Sequence, residues 1–310
     1  MNSDAIIECV PNFSEGTDRE VVARIVRSMQ VEQVHLLDWS LDVAHNRSVV
    51  TLAGPPDAVV EAAVRAVGKA AELIDLTRQS GVHPRIGAAD VVPFVPVSGL
   101  SLAECAMLAR QAGLQIWRRF GVPVYFYGAA AARPDRVKLE DVRRGQFEGL
   151  RDMVQKDASR RPDIGGPELH ATAGATAVGA RSFLIAYNVY LDKPDITAAR
   201  AIAREIRAAN DGLHGVKAIG VLCNGRAQVA MNITDYRMTP MPSVHAKVLE
   251  LASQNGAKTA EGELIGLIPQ DAYDVNAAWV QEIPGFQAEA KVLEQKLRNP
   301  MNWPALEGQP

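Results

Sequence analysis

Twice along the chain the hydrophobic pattern passes through the same succession: an extended apolar run, an amphipathic helix, two apolar runs joined by a polar turn, a second helix and a closing run. The first pass comprises Ala5 to Val10, a helix with Val21, Val22, Ile25, Val26 and Met29 on one face, Val34 to Trp39, Ser48 to Ala53, a helix with Val60, Ala63, Val64, Val67 and Ala71 on one face, and Asp90 to Val97. The second comprises Arg181 to Leu191, Asp195 to Ala209, Val216 to Leu222, Gln228 to Ile233, Ser243 to Ser253 and Leu264 to Ile268. A period of two and a period of 3.6 bury different faces and are not interchangeable. The order therefore predicts an α/β (α+β) chain of two consecutive βαββαβ sandwiches, each a ferredoxin-like, split-βαβ sheet with helices on one face. A helix from Ser101 to about Phe120 and a strand Val124 to Tyr127 add an αβ unit to the first.

Local signals place the boundaries. Thr17-Asp18-Arg19-Glu20 and Ser101-Leu102-Ala103-Glu104 read as capping boxes, Pro55-Pro56-Asp57 opens a helix, Asp195 caps another, and Asn224-Gly225 turns a hairpin. Pro93 and Pro96 predict an edge position for the strand that holds them. Arg133 to Arg161 mixes charges of both signs and reads as solvated helical turns. Arg161 to Gly179 has neither period and is the expected linker, giving an N-terminal subdomain over 1–178 and a C-terminal one over 179–310, with a divergent tail after about 270. Loops at 40–47, 80–89 and 162–179 are expected to line a site between the halves.

Composition excludes several functions. At 310 residues the chain can bury a full core, and 33 Lys plus Arg against 36 Asp plus Glu leave no basic excess for neutralising nucleic-acid phosphates. Cys9, Cys105 and Cys223 form no C-x-x-C pair, which suits a reducing cytoplasm. Met1-Asn2-Ser3-Asp4 carries no targeting pattern, and no apolar run is long enough to span a membrane. No histidine pair has metal-ligand spacing, so no metal is expected.

Three stretches carry chemistry. In Gly81-Val82-His83-Pro84-Arg85-Ile86-Gly87, terminal glycines and Pro84 present His83 from a stiff loop. Two roles fit that histidine, a catalytic group or a loop residue that caps a helix end or pairs with a carboxylate. Asp42-Val43-Ala44-His45-Asn46-Arg47 gathers a carboxylate, an imidazole, an amide and a guanidinium in one turn, suited to holding a substrate carboxylate or simply to a well-bonded hairpin. Gly165-Gly166-Pro167-Glu168-Leu169-His170-Ala171-Thr172-Ala173-Gly174 is a small-residue loop that a flat ring could approach, and it lacks the phosphate-binding glycine patterns. His35 and His245 lie in an apolar strand and a helix, where packing is the better reading.

These stretches, with Glu8-Cys9-Val10-Pro11-Asn12-Phe13-Ser14-Glu15-Gly16, His45-Asn46-Arg47-Ser48, the continuation Ala88-Ala89-Asp90-Val91-Val92-Pro93-Phe94-Val95-Pro96, Pro123 to Gly128, Gly174 to Arg181 and Phe183 to Asn188, closely resemble the glutamate formiminotransferase family from about residue 6 to about 270. The resemblance implies a folate-dependent transferase that moves a formimino group between 5-formiminotetrahydrofolate and L-glutamate in histidine degradation and one-carbon metabolism. It implies tetrahydrofolate as co-substrate, a cytoplasmic homodimer, and two α/β subdomains enclosing a folate tunnel. It also implies no fused cyclodeaminase domain within 310 residues. The family's catalytic histidine falls on His83 and its folate loop on Gly165 to Gly174, where Ala173 stands in place of a bulky aromatic. An imidazole with a pKa near neutrality is expected to act as both acid and base, and Arg47, Arg85 and Arg181 are expected carboxylate clamps. Formyl transfer on the same scaffold, or reduced-folate binding without turnover, are the alternatives.

Overall fold

The computed structural model describes residues 4–43, 45–81, 83–207, 211–223 and 225–305. Residues 1–3, Ala44, Val82, residues 208–210 at the expected end of one helix, Asn224 of the expected turn and residues 306–310 at the end of the expected tail lie outside the described residues. The chain forms two compact units, one of residues up to Ser182 joined by the segment from Pro300, the other Phe183–Asn299.

The first unit is built on a seven-stranded sheet. Strands β1 (Ile6–Cys9) and β2 (Asn12–Phe13) are separated by Pro11, which has no N–H to donate, and both lie antiparallel between β4 (Arg47–Gly54) and β5 (Ala89–Ser98). Strand β3 (His35–Asp42) forms a hairpin with β4 on one side. On the other side β7 (Thr176–Ala180) pairs parallel with β5, and β6 (Val124–Gly128) pairs parallel with β7. Because side chains alternate, Ile7, Leu52, Phe94 and Val178 enter one core with the apolar faces of α1 (Arg19–Ser28), α2 (Pro56–Leu73) and α3 (Leu102–Phe120). Val91, Tyr125, Tyr127 and Ala177 enter a smaller core on the opposite face, against Val142 of α4 (Leu139–Val142) and Leu150 of α5 (Gln146–Met153).

Several expectations are corrected here. The proline-bearing strand β5 is central, not an edge. Pro93 uses its carbonyl toward Val10 N (3.2 Å), at the break between β1 and β2, so its own missing N–H faces a gap in the ladder. Pairing with β7 ends at Phe94, whose carbonyl accepts Arg181 N, and Pro96 falls beyond that end. The stretch 161–179 is no linker, since β7 is inserted between β5 and β6. The charged segment 133–161 covers a sheet face, and Arg136 is buried, paired with Asp163 at 2.6 Å and stacked on Tyr125 at 5.0 Å. The first helix is capped by Asp18, which accepts from Glu20 N and Val21 N, because Glu15 captures Thr17. The box at Ser101 and Glu104 forms as expected.

The second unit runs β8 (Ile185–Leu191), α6 (Ile196–Ile206), β9 (Val216–Cys223), β10 (Arg226–Ile233), α7 (Met241–Gln254) and β11 (Thr259–Ile265). Its sheet is ordered β11-β8-β10-β9 with every pairing antiparallel. Alternate residues Ile185, Tyr187, Val189 and Leu191 face the core with Ile202 and Ile206 of α6 and Val244, Val248 and Leu251 of α7. His245 is packed as expected, its Nδ1 meeting the Tyr187 hydroxyl at 2.8 Å, with the Trp279 ring edge-on at 5.5 Å.

Helix α6 approaches β9 at Gly220, where an added Cβ would lie 2.4 Å from Arg200 N and 2.5 Å from the Ala199 carbonyl carbon. Gly220→Ala is expected to destabilise the protein by about 1–3 kcal/mol, because backbone rather than a flexible side chain must move. Denaturant unfolding measures this, and an unchanged midpoint would contradict the packing.

Candidate functional site

The site lies in the first unit, where the turn between β3 and β4 meets the loop entering β5. Asn46, in the left-handed region at φ 48°, accepts Gly16 N at its Oδ1 (2.9 Å) and donates from Nδ2 to the Ser80 carbonyl (2.9 Å). One amide thus joins the N-terminal loop, the hairpin turn and the start of the His83 loop. The loop's glycines are needed for close approach: a Cβ on Gly81 would meet the His45 carbonyl at 2.7 Å, and one on Gly87 the Ala175 carbonyl at 2.0 Å. Asp90, buried at the start of β5, closes the loop by accepting Ile86 N at 2.8 Å and pairs through its other oxygen with Arg143.

Around His83 the carboxylates and Arg85 are paired or hydrogen-bonded by neighbours, and Arg47 differs from them. Asp42 accepts His45 N at 2.9 Å and holds His45 Nδ1 at 2.6 Å. Glu15 accepts Thr17 N, Thr17 Oγ1 and Asp18 N on one oxygen and Gln79 Nε2 on the other. Burial alone would raise its pKa, but these hydrogen bonds stabilise the anion and leave the pKa lowered. Arg85 donates to the Gln79 carbonyl (2.7 Å) and to Glu148 (3.0 Å). Arg47 instead contacts His83 Nε2 through Nη1, and its Nε is buried with no hydrogen-bond partner. With Phe13, Ser14, His45, Asn46, Arg85 and Asp90, this pair lines a cavity of about 10 Å³, room for about one water molecule.

The near-neutral pKa expected for His83 is not what this arrangement provides. Burial first, then the cations of Arg47 and Arg143, push it down from 6.5 to about 2. Burial and Arg143 also lower Arg47 to about 10, against the pull of Asp90 and Asp42. His83 is therefore a neutral imidazole whose Nε2 accepts, since a guanidinium can only donate.

Of the three arginines read as clamps, Arg47 alone touches His83 among the described residues, while Arg181 donates to the Ser182 carbonyl at 3.0 Å. The loop Gly165 to Gly174 divides. Its end is stitched to the His83 loop, with Ala88 N donating to the Ala173 carbonyl and Leu76 N to the Thr172 carbonyl, both 2.9 Å. Gly166, Pro167, Glu168 and Ala171 are exposed, and His170 Nδ1 accepts Ala173 N at 3.0 Å. Sequence reasoning missed Arg143, hidden in a mixed-charge run, and the carboxylate of Asp90, whose spacing from His83 carries no known pattern. Among the described residues no three His, Cys, Asp or Glu side chains are grouped to hold a metal ion, and no helix is long and apolar enough to cross a membrane.

A histidine held neutral in the folded state but free to protonate when unfolded makes stability fall with acid. The folded pKa is depressed, so the stabilising contribution is complete above 6.5 and is lost as pH falls toward about 2. Compared with His83→Gln, the wild-type protein is expected to lose stability more steeply between pH 7 and 4, as measured by denaturant midpoints. A constant difference over that range would contradict a neutral, half-buried His83.

Comparison with known proteins agrees with the motifs. The N-terminal subdomain of the formiminotransferase domain matches residues 6–181, and the formiminotransferase domain matches residues 186–294, past the point near 270 where motifs stop being visible. A glutamate formimidoyltransferase of Thermoplasma acidophilum is 40% identical over 303 residues, covering 96% of this chain and 99% of that protein. One from Streptococcus pyogenes serotype M1 is 40% identical over 296 residues, covering 94% and 98%. The formimidoyltransferase-cyclodeaminase of Gallus gallus is 40% identical over 276 residues, covering 86% of this chain and 51% of that protein. With both domain models matched in order across nearly the whole chain, this protein belongs to the formiminotransferase family.

Proposed function

We propose that the protein is a folate-dependent transferase that moves a formimino group between 5-formiminotetrahydrofolate and L-glutamate, with His83 as general acid and base. The observation that carries this reading is His83 itself, a neutral imidazole in contact with the half-buried Arg47. Its setting in a chain 40% identical to proteins named for this activity supplies the substrate class. The amine of glutamate must lose a proton before its nitrogen bonds to the formimino carbon. The bond from that carbon to N5 then breaks, and N5 regains a proton to leave as tetrahydrofolate. A neutral imidazole takes the first proton and returns the second, so one residue serves both half-steps.

The loop Gly165 to Gly174 is the folate contact in this reading, supported by the attachment of Thr172 and Ala173 beside the His83 loop. Arg47 is the carboxylate partner nearest the reacting centre. The second unit's strand order, fourth-first-third-second, and the matching order β5-β1-β4-β3 within the first sheet support a ferredoxin-like arrangement in each. The family resemblance also supports a cytoplasmic homodimer acting in histidine degradation.

The test mixes the protein with 5-formiminotetrahydrofolate and a panel of amino acids and follows loss of the formimino group, which is expected to depend on glutamate. His83→Ala is expected to lower turnover by roughly 10²- to 10⁴-fold with folate binding little changed. Near-normal turnover in that variant would remove His83 from the mechanism.

A further inference from the structure

Arginine and histidine are an unexpected pair, since both are cations when protonated. The contact from Arg47 Nη1 to His83 Nε2 forms only if Nε2 presents its lone pair. That lone pair is then covered. A base in this state has no site at which to accept a substrate proton, because Nδ1 carries the imidazole's own hydrogen.

Arg47 is meanwhile short of anions. Asp42 is engaged by His45, and Asp90 by Arg143 and Ile86 N. Glu15 is filled by Thr17, Asp18 and Gln79, and Glu148 pairs with Arg85. Arg47 Nε, buried and without a hydrogen-bond partner, is a second donor with nothing to meet. A guanidinium with an unmet donor, resting on a neutral imidazole beside a small polar cavity, suits a two-pronged bond to a carboxylate.

We propose that Arg47 is a positioning residue that guards His83: a substrate carboxylate draws the guanidinium away into a bidentate hydrogen bond and leaves Nε2 free to accept the proton of the attacking amine. The proposal rests on the transferase reading above, and it makes the base available only when an acidic substrate is in place. The charged and titratable groups around His83 are Arg47 from β4, Asp42 from the end of β3, His45 from the β3–β4 turn, Arg85 from its own loop, Asp90 from β5 and Arg143 following α4. Only the Arg47 contact is exchanged, so removing its charge from Nε2 raises the proton affinity of His83. The carboxylate can come from glutamate or from the glutamyl tail of tetrahydrofolate.

Nitrogen NMR of the full chain labelled at its six histidines, with His83→Gln to assign the resonance, reads this directly. Without ligand, His83 Nε2 is expected to show an unprotonated, hydrogen-bonded acceptor. Saturating L-glutamate or tetrahydrofolate, added separately to identify the source, is expected to move that resonance and raise the titration midpoint by about 1–3 pH units. Arg47→Gln is expected to show the raised midpoint without ligand and no further response. Arg47→Lys, which keeps the charge but not the fork, is expected to weaken the response and serves if the glutamine variant fails to fold. An ordinary midpoint near 6.5 in the free wild-type protein, or a ligand response that persists in Arg47→Gln, would overturn the guard. These signals need no turnover, so a protein that shows them but transfers nothing to glutamate would overturn the proposed reaction and not the guard.

Discussion

The buried carboxylate of Asp90 is the interaction on which the site depends. It stands at the head of the central strand β5, where one oxygen accepts Ile86 N and the other meets Arg143. The first contact bends the preceding loop back on itself and fixes where His83 emerges. The second ties the segment after α4 to the sheet, so a run of charge becomes part of a core-covering layer. A buried carboxylate stripped of such partners would cost about 3–5 kcal/mol, which makes the loop geometry hard to relax. Strand β5 can carry this role with two prolines only because each missing N–H faces a place where the ladder is already interrupted.

Charge pairing around the site follows from that framework. Among the described residues Asp42, Glu15, Asp90 and Glu148 each hold a neighbour other than Arg47. Arg47 instead contacts His83, at the edge of a cavity with room for about one water molecule. In such a setting the imidazole resists protonation and the guanidinium retains an appetite for anions. Both properties suit the transfer proposed above, in which an amine is deprotonated and the substrates are acidic.

Much of the architecture was legible in residue order. Both βαββαβ successions appear in the structure, because strands and helices of this length announce their period when one face is buried. The cap at Ser101 and the proline start of α2 were readable for the same local reason. The misreadings share a cause. Thr17 resembles a cap, yet Glu15 takes its hydroxyl; Pro93 and Pro96 resemble edge markers, yet their neighbours have gaps; Arg136 resembles a solvent-facing charge, yet Tyr125 and Asp163 enclose it. Each outcome depended on a partner distant in sequence, which local pattern does not encode.

For the site, the loop carrying His83 and the turn ending at Arg47 were visible as motifs, because stiff glycine- and proline-bounded loops and clustered polar side chains are written in short stretches of residues. The sequence by itself determined the element order, the near balance of charge, with 33 Lys plus Arg against 36 Asp plus Glu, and the family. Tertiary structure alone decided that Arg47 rests on Nε2, that Asp90 and Arg143 close the loop, and that the imidazole is held neutral. The reason is physical: hydrogen bonds and desolvation depend on which groups meet in space, and here the partners lie as far apart in the chain as Arg47 and His83, or Asp90 and Arg143.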